Sequence, residues 1–263
     1  MPRLAASSLF LALCLTAMAA PPNREAPNPT AMVANQLVVA GNACGPTALL
    51  NSFRFGNKDW QRASGALAGE NDKQRISTII LQYGVRPSKH INGRARWSKK
   101  GVNIADLTDI ANEMTIGQAL PIVQQEILFL KPGETQEKLL KRVHYQLNTS
   151  LAKGLPPVLS LRRYAKRDKT GQWTVLDAHF VTLTSIPRKL GKGDRSFPVT
   201  YLDPWGGKIC QGSIAISNRA ILADAAASSP CLEADFPQAS VGRKLIRHGE
   251  PTALTVAAVL GRW

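Results

Sequence analysis

The stretch "GNACGPTALLNSF", residues 41–53, sets Cys44 at the start of a helix-forming run, followed at once by Gly45 and Pro46. A thiol there lies at the positive end of the helix dipole, beside backbone N–H groups that have no acceptor within the helix. Both features favour thiolate over thiol, and the thiolate is the nucleophile. Gly45 leaves room for a carbonyl to come close to the backbone. Pro46 removes only an N–H for which the helix has no use. A buried structural cysteine is the plainer alternative for a lone thiol.

A thiolate catalyst needs a base, most often histidine. The chain has 4 histidines. His90 falls in a basic loop, His144 on an amphipathic helix and His248 in the polar "RKLIRHGEP" stretch, all consistent with surface or packing roles. His179 differs because it interrupts the apolar strand-like run "VLDAHFVTLTSI". An imidazole beside Phe180 and Val181 is unfavourable unless its nitrogens are bonded. A core histidine with satisfied nitrogens is the competing explanation.

The base in turn needs orienting. "YLDPWGG" sets Asp203 at the end of the next strand, before a Pro and two glycines that turn the chain sharply. A carboxylate there can accept the imidazole N–H and hold the ring, although Asp-Pro is also ordinary turn chemistry. Asp177 competes from two residues before His179, but adjacent side chains on one face of a strand rarely align for this bond.

These residues require elements to carry them. A helix is expected from Cys44 to about residue 53 or 54, and one or two more within 58–84. The stretch "PSKHINGRARWSKKG" reads as a loop, and "NIADLTDIANEM" has its apolar residues at helical spacing. "PIVQQEILFL" reads as a strand and "ETQEKLLKRVHYQLNTSLAKG" as an amphipathic helix closed by Gly154. "PPVLSLRRY", "WTVLDAHFVTLTSI", "FPVTYLDPW" and "LTVAAVLGRW" follow as strands. The expected fold class is therefore α+β: a helical N-terminal half packed on a C-terminal antiparallel sheet.

Residues 1–19 have a basic start, a short apolar run and the small-residue site Ala17-Met18-Ala19, the pattern of a secretory signal peptide. Leu13 before Cys14 is too bulky for a lipoprotein site. Residues 20–40 are Pro- and Asn-rich and read as a loose segment, with one domain over 41–263. No later segment is apolar enough to span a bilayer, so the expected location is secreted or periplasmic. Leader removal takes Cys14 and leaves Cys44, Cys210 and Cys231. An odd count in an exported protein implies one disulfide and one free thiol, or pairing between chains. Cys210 and Cys231 are the natural pair, which leaves Cys44 free.

Taken together, "ACGPTALLNSF", "DAHFVTLTSI" and "YLDPWGG" resemble the papain-like cysteine peptidases, closest to the branch that cleaves double-glycine leaders from bacteriocins. The resemblance covers three short motifs across residues 41–207. It implies a papain-like fold, with Cys44 as nucleophile, His179 as base and Asp203 as orienting acid. That family supplies an oxyanion-hole Gln before the Cys, at a spacing that Val38 occupies here. Gln36, two residues further away, is the first candidate for that role and Asn42 the second, either acting with the Cys44 backbone N–H.

The function expected is amide or peptide-bond hydrolysis through a thioester. Acyl transfer to an amine on the same triad, and peptide or cell-wall binding without catalysis, are the alternatives. No zinc-like ligand spacing occurs and no cofactor is implied. Lys and Arg outnumber Asp and Glu by 33 to 18. The basic loops "GRARWSKKG", "RRYAKRDKTGQ" and "RKLGKGDR" suit an anionic peptide or protein substrate. Nucleic acid is not expected, because no recognition motif appears.

Overall fold

The computed structural model describes residues 22–167, 173–222 and 228–263, without the side chains at 218, 220, 222 and 228–231. The leader expected at 1–19 lies outside the described residues. Five helices are present among them: α1 (Cys44–Arg54), α2 (Lys58–Gly65), α3 (Asp72–Ile79), α4 (Ile104–Met114) and α5 (Gln136–Ala152). Asn57, Asn71, Asn103 and Thr135 cap α2 to α5, each accepting first-turn N–H groups with its side-chain oxygen. The short strands are β1 (Asn23–Glu25), β2 (Trp97–Ser98), β3 (Gly101–Val102) and β4 (Gln124–Ile127). The longer ones are β5 (Val158–Lys166), β6 (Trp173–Pro187), β7 (Ser196–Asp203), β8 (Lys208–Leu222), β9 (Ser228–Asp235) and β10 (Thr252–Gly261).

Neither the expected helical half packed on a C-terminal antiparallel sheet nor the papain-like fold that the resemblance implied is what forms. The strands pair in the order β6-β5-β10-β9-β8-β7, and β7 pairs back onto β6, so six antiparallel strands close into a barrel. β1 adds to β6 and β4 to β10 as extra strands. Two physical features explain the correction. β8 and β9 lie in residues 208–235, to which no strand was assigned, and they are the link from β7 to β10. Register shifts in the β5–β6, β6–β7, β8–β9 and β5–β10 pairs then supply the bending that closure needs.

Two apolar cores share the barrel wall. The inner one gathers Leu159, Leu161, Val181, Leu183, Tyr201 and Val256 with the apolar face of α5. The outer one sets Leu49, Leu50 and Phe53 of α1, with Leu107 and Ile110 of α4, against Val158 and Phe180. Alternation along β6 divides its residues between them, Val181 to one core and Phe180 to the other. Residues 179–186 are thus buried on both faces, and the run reads as continuously apolar.

Two smaller expectations also change. Residues 22–40 are not loose: β1 pairs with β6, and Ala26, Ala34 and Gln36 are buried. Nor are Cys210 and Cys231 a disulfide, because Cys210 is a free, buried thiol. Leu232 pairs with Ile216 and Pro230 with Ala220, so the Cys231 backbone lies at least six residues along β8 from Cys210. At about 3.3 Å per residue that is roughly 20 Å. A disulfide tolerates at most about 7 Å between Cα atoms.

Candidate active site

Cys44 is the first residue of α1, and Ala43 at the cap contributes no side-chain oxygen to the opening turn. The helix is anchored where the site needs it. Thr182 Oγ1 donates to the Ala48 carbonyl at 2.7 Å, fastening α1 to the strand that carries His179. Ser52 Oγ donates to the Pro156 carbonyl at 2.5 Å, and Asn51 Oδ1 accepts from Ala34 N at 2.8 Å. Gly45 also serves the packing of the helix. A Cβ there would lie 2.4 Å from Val102 Cγ1, so glycine lets the first turn of α1 press against β3.

Strand pairing explains the next contact. Thr182 pairs with Leu202 across β6 and β7, which puts Asp203 opposite Val181 and diagonal to His179. Diagonal neighbours on one face are within reach of long side chains. His179 Nε2 and Asp203 Oδ1 are 2.8 Å apart, with both side chains nearly inaccessible to solvent. The same oxygen accepts the Trp205 N–H at 2.8 Å. Gly206 and Gly207, at φ of 89° and 64°, complete the turn that bends the chain away beneath the carboxylate.

Burial works against a protonated His179 ring. The hydrogen bonds to Asp203 and to Cys44, with the charges of both, outweigh it and raise the pKa from 6.5 to about 10. With Nε2 engaged by Asp203, Nδ1 is the ring atom left for the sulfur. Cys44 and His179 both line a cleft of about 580 Å³, along with Asn42, Val102, Phe180 and Trp205. The structure therefore brings together the three residues singled out for nucleophile, base and acid. Asp177 does not compete, because its two oxygens accept Ala178 N at 2.9 Å and Gly242 N at 2.8 Å.

The two oxyanion candidates separate. Gln36 is buried behind the loop, its Nε2 donating to the Gly41 carbonyl at 2.5 Å and its Oε1 left without a partner. It braces the approach to α1 and does not line the cleft. Asn42 does line it, and donates through Nδ2 to the Ser98 carbonyl at 2.8 Å. An amide nitrogen carries two hydrogens, so one remains.

His90, His144 and His248 do not line the cleft. His144 Nε2 meets the Pro187 carbonyl at 2.7 Å, and its ring sits edge-on to Phe197. His90, Asp106 and Asp109 form the one cluster with metal-ligand atoms among the described residues, within 4.8 Å of one another. Ser88 and Asn103 already engage Asp106, and Asp109 faces His90 and Arg96.

The sequence reading missed Trp205, Val102 and the 240–244 turn as parts of the cleft. Trp205 carried a signal, an indole in a tight turn beside a candidate acid. It is 40% exposed, and its ring is 3.6 Å from where a Gly41 Cβ would be. The turn carried none, since only barrel closure brings it near His179. No family model matches the chain, no curated protein matches it and no solved structure matches it.

Proposed function

We propose that this chain is an exported thiol hydrolase that cuts an amide or peptide bond through Cys44, His179 and Asp203, acting once the leader at 1–19 is removed. One observation carries the reading: a buried imidazole held at 2.8 Å by Asp203 and acted on by Cys44, opening onto a cleft. The motif resemblance to papain-like cysteine peptidases supports the same chemistry. The protonated ring has two N–H groups, one donated to the Asp203 carboxylate and the other directed at the Cys44 sulfur.

The Cys44 sulfur attacks the carbonyl carbon, and the developing oxyanion meets the Cys44 backbone N–H and the free amide hydrogen of Asn42. The protonated His179 gives its proton to the leaving amine as the C–N bond breaks, leaving a thioester and a neutral ring. That ring takes a proton from water, whose hydroxyl attacks the thioester carbonyl. The acid leaves, and the sulfur–imidazolium pair is restored. Asp203 does not change protonation; it orients the ring.

The test is mass spectrometry of a denatured-protein digest. New termini are expected with the native chain and not with Cys44→Ala. Equal cleavage by the variant would remove the proposal.

A further inference from the structure

The cleft walls carry charge that the chemistry above does not use. On one side the β2–β3 hairpin holds Lys99 and Lys100 at its tip. Trp97 Nε1 donates to the Asn42 carbonyl at 3.1 Å and Asn42 Nδ2 to the Ser98 carbonyl, so the hairpin is fastened two residues from the nucleophile. By the strand that carries His179, Arg243 and Lys244 of a short helical turn also line the cleft, Arg243 with one guanidinium nitrogen donating to the Pro237 carbonyl. That turn is fastened too, by Gly242 N to Asp177 and by Arg163 Nε to the Val241 carbonyl at 2.6 Å. Asp177 is the one acid among the described residues lining the cleft, and both its oxygens accept backbone N–H groups. Val102 and Phe180 give the cleft an apolar lining beside Gly45, between the hairpin fastened to Asn42 and the turn fastened to Asp177.

We infer that the cleft selects an acidic peptide, with carboxylate side chains on both sides of the bond cut and a small or apolar residue over the apolar lining. This rests on the hydrolytic reading above and deepens it. Two cationic walls about an apolar lining match charge flanking an uncharged centre. Low-dielectric walls focus the field of fixed cations into a cleft and raise the local concentration of an anionic substrate. A basic peptide would meet repulsion at both walls.

The experiment reads cut sites by mass spectrometry in a peptide library made from denatured protein. Near 0.05 M salt, Asp and Glu should exceed Lys and Arg flanking the cut by about tenfold, and the bias should shrink near 0.5 M as screening shortens to a few ångströms. K99E/K100E should reverse the bias on one side of the cut and R243E/K244E on the other. Cuts without charge bias, or bias that neither variant alters, would overturn the inference. So would an acidic polysaccharide or DNA that competes as well as an acidic peptide. A second readout needs no cleavage: the rate ratio of Cys44 alkylation by iodoacetate over neutral iodoacetamide. With all four cations reversed the ratio should fall about tenfold, and an unchanged ratio overturns the inference. If the native chain cuts nothing while this ratio still falls, the hydrolytic reading fails and the anion-selective cleft stands.

Discussion

Cys44 and Cys210 are both buried, free thiols within the same fold, yet the groups that face the two sulfurs differ. Cys44 opens a helix, faces a cleft and acts on an imidazole that Asp203 holds. Cys210 lies on β8, cross-strand from Tyr201, in the core of the barrel. Burial pushes its thiol up, and the nearby Asp203 charge adds to this. The two side chains are 8% and 2% exposed, so accessible area hardly distinguishes them. Reactivity here is set by which dipoles and protons face the sulfur, and by whether a cleft reaches it.

The largest expected effect separates the two directly. Cys44→Ala should lower turnover by roughly 10⁴-fold or more, as loss of the nucleophile does in a concerted triad. Cys210→Ala should leave turnover within about twofold and cost roughly 1 kcal/mol of stability, read from denaturant midpoints. Asp203→Asn comes next, with a rate loss of roughly 10³- to 10⁴-fold. It should also let the His179 pKa fall from about 10 towards 6.5, followed by NMR titration of the ring. An unmoved value would show that Asp203 does not hold that proton.

Labelling sharpens the contrast without turnover. Iodoacetamide should modify native Cys44 roughly 100-fold faster than Cys210, located by peptide mapping. The reverse order would undo the comparison. A further test concerns pH. A histidine whose pKa is raised on folding stabilises the native state fully below its unfolded value and loses that contribution as pH rises through the folded one. For His179 the window runs from 6.5 to about 10. Stability of the native chain should therefore decline across it more steeply than that of His179→Gln, measured by urea unfolding at each pH.

What the sequence disclosed, and what it hid, follows from range. The start of α1 at Cys44 was legible because helix-forming residues and small neighbours act locally. His179 and Asp203 were legible because each breaks an otherwise consistent local pattern: an imidazole in an apolar run, and a carboxylate before Pro and two glycines. Closure of the barrel was not, since pairing of β7 with β6 leaves no imprint on either strand's alternation. Residues 208–235 hid two strands because bulges and polar outward positions blur the two-residue period. Gln36 illustrates the same limit. An amide near a nucleophile suggested a donor to the substrate, whereas the fold turns it inward to the Gly41 carbonyl.

β6 is tied to β1, β5 and β7, and α1 lies across its outer face. Freeing β6 would mean parting it from β5 up to Thr182, from β7 and β1 beyond that residue, and from α1, which amounts to global unfolding rather than local breathing. His179 and the Asp203 that holds it thus inherit the stiffness of that segment, and heat should release them together with the tertiary structure in a single cooperative step.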